Sequence, residues 1–226
     1  MLEDLTQGTS SEPTELLAQK VYASLREAII RGRYAEGQRL PEARLAAELN
    51  VSRVPLREAL PGLANQGFLT SLPRRTAVVA TWSERTVEEL FDVRLSLEVS
   101  AARLAARNVK AGMSVDAVRQ AISASTRLVG TADPLPLAES STVIHERFVE
   151  LSDNALLTTL MRTVMGRMTW LFYMTSQRDA QVACDEHIEL LDVICSGNES
   201  FAASVAYAHI EKGRIPSLET LQRSAS

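Results

Sequence analysis

Apolar and polar residues in the first third of the chain have the spacing of helices followed by a hairpin. Over residues 15–31 apolar positions recur every three or four residues, which predicts an amphipathic helix. A short helix is predicted over about 41–49, and a third begins after Ser52, whose hydroxyl can cap it. Residues 68–81 are rich in Thr and Val around a Pro-Arg-Arg segment, which predicts a two-stranded hairpin with a basic tip. This order of elements is that of a winged helix-turn-helix.

Beyond Trp82 the apolar positions keep helical spacing, and no strand pattern interrupts them. A long helix capped by Ser83 is predicted to reach Asn108, Asn154 to cap a later helix, and Gly197 to end another. The further helices are predicted at 113–131, 135–152, 154–175, 177–196 and 199–213. We therefore predict a mainly α fold: a disordered arm at 1–14, a winged helix-turn-helix at 15–81, an all-α bundle of about six helices at 82–215 and a tail at 216–226.

The charges divide the chain at nearly the same place. Residues 20–80 carry ten bases and five acids, whereas residues 81–226 carry fourteen bases and nineteen acids. The formal net charge is −4. The local field, however, steers a polyanion to a surface, so the basic module is a candidate for DNA binding. A chance excess of solvated arginines is the alternative.

Composition excludes several classes of protein. Of the 226 residues, 46% are hydrophobic and 23% charged, the mix of a globular protein. No apolar run approaches the roughly 20 residues of a membrane span, and the acidic N-terminus lacks the basic segment of a signal peptide. The two cysteines, Cys184 and Cys195, make no disulfide framework. We expect a cytoplasmic protein with no membrane partner.

Arginines occupy the positions from which a recognition helix and a wing would meet DNA. Arg53 and Arg57 are four residues apart and share one helical face. Arginine can bind the O6/N7 edge of guanine or a phosphate, and a basic hairpin tip suits phosphates or the minor groove. A winged helix that makes only protein contacts is the alternative. The predicted DNA contacts are Arg44, Ser52, Arg53, Arg57, Arg74 and Arg75.

Three segments within residues 20–80 resemble the GntR family of bacterial transcription regulators. They are Val21-Tyr22-x-x-Leu25-Arg26-x-Ala28-Ile29, Leu40-x-Glu42-x-x-Leu45-Ala46 and Val51-Ser52-Arg53-x-Pro55-x-Arg57-Glu58-Ala59-Leu60. The resemblance implies that Arg53 and Arg57 contact DNA and that the hairpin is the wing.

Three positions depart from the family pattern. Pro61 and Gly62 stand where the recognition helix usually continues, and an interior Pro costs about 3 kcal/mol, so we expect a kink or an end near Leu60. Asn50 replaces the usual turn Gly and tolerates left-handed geometry. Thr76 replaces a Gly after the wing arginines, where its β-carbon is expected to hold the wing tip away from a groove.

The chain has three histidines, and each falls on a different predicted helix, on or beside its apolar stripe. They are His145, His187 and His209. Three inward imidazoles from three helices can converge on one divalent ion and leave coordination positions open. Core histidines satisfied by hydrogen bonds are the alternative.

The second half resembles the FCD ligand-binding domain over about residues 84–213. The resemblance rests on Glu89-Leu90-Phe91-Asp92-Val93-Arg94-x-x-Leu97-Glu98, Ile144-His145, Glu186-His187 and His209. It implies a divalent ion, zinc or nickel, held by the three histidines and by an Asp four residues before the first of them. That position is Ser141 here, so the fourth ligand is replaced by a weak neutral one. Cys184, one turn before His187, is a minor alternative ligand.

An ion held by neutral imidazoles keeps its full charge and attracts an anionic ligand. Arg94 shares an apolar helical face with Leu90, Leu97 and Ala101, and a buried Arg needs an anion. Either Glu98 at i+4 supplies that anion, or Arg94 lines an effector cavity, as the family implies. We therefore predict Arg94 and Ser141 as effector-binding residues.

These observations predict a DNA-binding transcription regulator, a repressor, and not an enzyme. A homodimer would bind a pseudo-palindromic double-stranded DNA operator through its two recognition helices. A small carboxylate in the metal-containing cavity would control operator affinity. A regulator that senses the metal itself, and a tri-His metal hydrolase with Glu146 as general base, are the alternatives.

Overall fold

The structure is a computed structural model that describes residues 14–70 and 76–224. The chain divides into two compact units between Thr81 and Trp82. The first unit contains α1 (Thr14–Ile30), β1 (Arg39–Pro41), α2 (Glu42–Glu48), α3 (Arg53–Asn65), β2 (Leu69–Thr70) and β3 (Thr76–Val79). The predicted arm falls on residues outside the described part of the chain, except for Thr14, which begins α1.

The sheet of the first unit has three strands rather than the predicted two. The strand order is β1-β3-β2, and both neighbours of β3 run antiparallel to it. The prediction missed β1 because three residues that include a Pro are too few to establish a strand pattern. Thr76 begins β3 opposite Pro41. The tip of the hairpin, with Arg74 and Arg75, falls outside the described residues.

The recognition helix does not end near Leu60, so that part of the prediction is wrong. Helix α3 continues through Pro61 to Asn65. Pro61 lies on the exposed side, while Leu56 and Leu63 on the opposite side are fully buried and anchor the turns before and after it. That burial offsets the backbone hydrogen bond that a Pro cannot donate.

Gly62 has a packing role in the same helix. A β-carbon added there would lie 3.3 Å from the Tyr22 ring of α1. The Tyr22 hydroxyl donates to Gln66 at 2.7 Å, one turn after Gly62. The absence of a side chain at Gly62 therefore lets α1 and α3 pack closely. Asn50, just before α3, has the expected left-handed backbone, with φ of 52°.

Every regular element described in the second unit is a helix, and the mainly α fold class is confirmed. Its first long helix runs without a break but contains one π-helical segment that the sequence pattern did not reveal. The second unit has six helices when this first one is counted once. They are α4 (Glu84–Arg94) with the π segment (Leu95–Val99) and α5 (Ser100–Lys110), then α6 (Asp116–Thr126), α7 (Leu135–Glu150), α8 (Ala155–Met174), α9 (Ala180–Cys195) and α10 (Glu199–Ser224).

Of three predicted N-terminal helix caps, two are present in the second unit and one, in the first unit, makes no capping hydrogen bond. The Ser83 hydroxyl accepts from the Thr86 amide, and the Asn154 side chain accepts from the amides of Leu156 and Leu157. Ser52 stands at the N-cap position of α3, but its side chain makes no capping hydrogen bond.

The last helix is longer than predicted, and the expected tail at 216–226 is wrong for most of its length. Helix α10 passes through Pro216 to Ser224. Ser217 is buried and donates its hydroxyl to the Gly213 carbonyl at 2.7 Å. The helix continues because these residues pack against the body of the unit. The main core lies among α5, α6, α7, α9 and α10, with Ile144, Phe148 and Ile194 at its centre.

Gly197 ends α9 as predicted, and a side chain at this position is expected to destabilise the protein. Its φ is +70°, and an added β-carbon would lie 2.9 Å from the Lys110 β-carbon at the end of α5. A left-handed backbone alone costs a non-Gly residue about 1–2 kcal/mol. We expect Gly197→Ala to lower the free energy of unfolding by more than that, measured by urea denaturation followed by circular dichroism.

Gly130→Ala is the matched control for this substitution. Gly130 has a similar φ of +79°, but no heavy atom lies within 4 Å of its added β-carbon. The difference between the two variants therefore isolates the contact with Lys110. Equal losses of stability would show that this contact is relieved without cost.

Candidate functional site

The three histidines of the second unit meet at one point. His145 on α7, His187 on α9 and His209 on α10 offer candidate ligand atoms that lie within 4.8 Å of one another. The Nε2 atoms of His145 and His187 are 3.4 Å apart. Two nitrogens bound tetrahedrally to zinc at about 2.0–2.1 Å would be separated by about 3.4 Å. The donor set fits a divalent ion of this size.

Two carboxylates hold the outer nitrogens of two of these rings. Oε2 of Glu98 lies 2.6 Å from Nδ1 of His145, and Oε2 of Glu186 lies 3.1 Å from Nδ1 of His209. A carboxylate at one ring nitrogen fixes the tautomer and directs the other nitrogen to a metal. His187 has no such partner in the described structure, and its Nδ1 is buried without a hydrogen bond.

Neither Glu186 nor Glu98 was predicted to have this role. Glu186 entered only as the neighbour of His187 in the motif, and adjacent helical residues point about 100° apart. Its approach to His209 depends on how α9 packs against α10, which no spacing within one helix reveals. Glu98 was considered only as a partner of Arg94.

Arg94 has both of the environments that the sequence left open. Its Nε donates to Oε1 of Glu98 at 2.7 Å, and the two side chains are 3% and 8% exposed. Its guanidinium also lies over the Phe91 and Phe172 rings, and one terminal nitrogen is 3.5 Å from Nε2 of His145. The salt bridge with Glu98 is therefore present, and Arg94 also lines the cavity beside the histidines.

Burial keeps the imidazoles of His145 and His187 neutral. Desolvation lowers the pKa of His145 to about 4, although the Glu98 carboxylate opposes this shift. Desolvation, together with the charges of its neighbours, lowers the pKa of His187 well below its usual value. Burial by itself would raise the pKa of Glu98, but Arg94 and His145 hold that pKa well below its usual range. Near pH 7 His145 and His187 thus have lone pairs available for an ion.

A cavity of about 100 Å³ opens beside the three histidines. Arg94 and Ser141 both line it, as their prediction as effector-binding residues requires. Ser217, from the segment expected to be a tail, lines it as well. So does Arg178, an exposed side chain between α8 and α9 with no hydrogen-bond or ion-pair partner in the described part of the chain. Arg178 falls within the helix predicted at 177–196, but no spacing within one helix shows that its start lies at the cavity, so Arg178 was not predicted there.

Two other candidate ligands take different places. Ser141 precedes His145 by one turn of α7 and faces the same cavity. Cys184 is buried, but the described residues that could jointly hold an ion do not include it.

Glu146, the candidate general base, accepts from Arg162 at 2.9 Å and is absent from the described cavity lining. The hydrolase alternative therefore lacks its base.

The predicted DNA contacts in the described part of the first unit are exposed. Arg53 begins α3 and makes no ion pair with any described residue. Arg57, one turn later, pairs with Glu42 of α2 at 2.8 Å, and Arg44 pairs with Glu48 at 2.6 Å. These ion pairs are on the surface, where such pairs are weak, so a phosphate can displace them.

The fold and the site together define a DNA-binding module followed by a helical domain with a cavity. Residues 17–79 match the bacterial regulatory proteins of the gntR family, and residues 89–212 match the FCD domain. The chain belongs to the GntR family of bacterial transcription regulators, and its second unit is an FCD domain. Its members are regulators rather than enzymes.

Relatives of this chain include named regulators. It is 29% identical to the Nta operon transcriptional regulator of Aminobacter aminovorans over 181 residues, which cover 79% of this chain and 84% of that protein. It is 44% identical to the gluconate operon transcriptional repressor of Bacillus licheniformis over 79 residues, which cover 35% and 32% of the two chains. The fold resembles that of E. coli McbR/YncC, with a TM-score of 0.72 at 17% identity over 93% of this chain and 99% of that one.

None of the described helices is both long enough and apolar enough to cross a bilayer.

Proposed function

We propose that this DNA-binding transcription regulator is a repressor whose operator affinity is controlled by a small carboxylate bound beside a metal ion. The observation that carries the proposal is the convergence of three histidines from three helices on a cavity that Arg94 also lines. The protein acts as a homodimer on a pseudo-palindromic operator, because two recognition helices must fit two half-sites in register. Dimerisation uses the first long helix of the second unit. A regulator of bacterial DNA works in the cytoplasm.

The metal is zinc or nickel, held by His145, His187 and His209. Imidazole suits both ions, and three neutral ligands leave coordination positions open. When bound, the ion supplies a positive charge that attracts an anionic group. The carboxylates behind the rings do not neutralise that charge, because Glu98 is paired with Arg94, and Glu186 with Lys212 at 3.1 Å.

The charges at the cavity therefore favour a carboxylate ligand. Glu98 and Glu186 are balanced by Arg94 and Lys212. Arg178 and Asp179, which also line the cavity, carry opposite charges, so the charge of the ion is left to attract an anion. The proposal is tested by measuring operator affinity of metal-loaded protein in the presence of acetate, malate and citrate. The proposal is supported if one of these anions releases the DNA from metal-loaded protein and no longer does so after the metal is removed. Release by none of them, together with no anionic ligand retained on the purified protein by mass spectrometry, contradicts it.

The metal itself could be the signal, and one comparison separates this alternative. Protein stripped of metal by a chelator is titrated on the operator with zinc or nickel and no organic anion. A change of affinity caused by the ion alone would favour metal sensing. An unchanged affinity that responds only to the anion favours an effector-controlled repressor.

Arg53→Ala is expected to weaken operator binding by about 1–3 kcal/mol and to relax the base preference at one position. Arg53 is exposed at the start of the recognition helix and has no competing partner among the described residues. The measurement is a mobility-shift titration. Arg119→Ala removes one exposed charge from the second unit and is the control. Equal affinity of Arg53→Ala and wild type would remove Arg53 from the reading surface.

Ser141→Asp is expected to raise metal retention and lower affinity for a carboxylate. Position 141 is one turn before His145 and faces the same cavity, so the new carboxylate would reach the ion and partly neutralise it. Metal content after chelator dialysis and citrate binding by calorimetry are measured for both proteins. Higher metal retention with unaltered citrate affinity would show that the ion is structural.

A further inference from the structure

Helix α3 presents an apolar side chain at the centre of its exposed face. Successive helical residues are 100° apart, so Val54 points about 155° away from the mean direction of the buried side chains of this helix, which are Pro55, Leu56, Ala59 and Leu63. Arg53 and Arg57 point to one side of it. Val54 is 57% exposed, while the other large hydrophobic side chain exposed among the described residues of the first unit, Leu16, lies on α1.

The neighbourhood of Val54 suits DNA rather than a protein partner. The first turn of α3 contains no acid, and Arg53 and Arg57 flank Val54 in sequence. A protein surface that covers an apolar side chain is usually apolar itself. Here one apolar group stands beside two cations, which matches a groove lined by phosphates with an apolar group on its floor.

The major groove of DNA presents one such group. The C5-methyl of thymine is the apolar feature of the base edges, and small apolar side chains contact it. Residues in the first turn of a recognition helix are those that reach base edges. We propose that Val54 contacts the C5-methyl of a thymine in each half-site and so specifies that base. This inference rests on the proposed entry of α3 into the major groove.

The test removes the methyl from the DNA and the methyls from the protein separately. An operator is first selected from random-sequence DNA by the wild-type protein. Each thymine of a half-site is then replaced in turn by deoxyuridine, which lacks only the C5-methyl. Dissociation constants are measured for wild type, Val54→Ala and Arg53→Ala at one salt concentration.

We expect one thymine per half-site whose replacement weakens wild-type binding about three- to fivefold, the value of one buried methyl group. Val54→Ala should lose a similar factor on the thymine operator and should not respond to deoxyuridine at that position. Because Val54 is exposed, Val54→Ala is expected to keep its fold, which circular dichroism checks.

Two results would overturn the proposal. One is a deoxyuridine effect of the same size in Val54→Ala as in wild type at every position. The other is an unchanged affinity of Val54→Ala for the thymine operator. Arg53→Ala separates these from a failure of the proposed function. If Arg53→Ala binds the operator more weakly than wild type, α3 reads DNA and only the thymine contact is wrong. If Arg53→Ala binds as tightly as wild type, α3 is not the reading helix.

Discussion

Replacing His187 by Gln is expected to lower the affinity of the second unit for zinc or nickel by more than about 100-fold. Loss of an outer-shell partner alone costs about 10–100-fold in metal affinity, and loss of a ligand costs more. His187 is 2% exposed, and its Nε2 faces that of His145 at 3.4 Å. Gln fills much of the same volume but offers a poor ligand. The measurement is metal content by mass spectrometry after dialysis against a graded chelator.

Two further variants complete this experiment. Cys184 is also buried on α9, one turn before His187, and thiols can bind metals. Because it is not one of the proposed ligands, Cys184→Ala should leave the metal content unchanged. Glu186→Gln weakens the hold on Nδ1 of His209 and should cost about 10–100-fold. Full metal retention in His187→Gln would mean that the three histidines are core or effector-binding residues.

The convergence of the three histidines was predictable because each helix has one inward stripe. His145, His187 and His209 each lie on or beside that stripe, and a bundle brings the stripes to one core. The start of the recognition helix was predictable from Ser52, which stands at its N-cap position although its side chain makes no capping hydrogen bond. These features depend on contacts within one helix or on a general rule of packing.

The features that were missed depend on contacts between elements. Pro61 ends an isolated helix, but here the turns on both sides are anchored by buried leucines. The same holds for Pro216, because Ser217 beyond it is buried in the second unit. Strand β1 exists only because β3 lies beside it. The contacts of Glu98 and Glu186 require knowledge of which helices are neighbours.

The buried triad of Arg94, Glu98 and His145 is expected to make Glu98 one of the residues most sensitive to substitution. Glu98 accepts from Arg94 at 2.7 Å and holds Nδ1 of His145 at 2.6 Å. Glu98→Gln keeps the shape but removes the charge, which leaves the Arg94 guanidinium buried without an anion. Breaking a buried pair in this way costs about 3–5 kcal/mol. The measurement is the free energy of unfolding of metal-stripped protein in urea near pH 7.

Two comparisons test that the cost comes from the uncompensated charge. Glu89→Gln breaks the Arg85–Glu89 pair, which has the same i,i+4 spacing on the same helical rod but is exposed, and should change stability very little. Arg94→Met combined with Glu98→Gln removes both charges and should recover most of the loss, because a neutral buried pair needs no counter-ion.

The acid limb of the stability curve gives an independent check. Arg94 and His145 hold the pKa of Glu98 well below its usual range, so below about pH 4.3 the unfolded chain binds a proton that the folded chain does not. The stabilisation from Glu98 is therefore complete above that pH and is lost as the pH falls towards the folded pKa. Glu98→Gln has no such proton to bind, so its stability should fall less steeply with acid over this range. Parallel acid limbs in the two proteins would mean that Glu98 has a similar pKa in the folded and unfolded states, and the buried triad would then contribute little to stability.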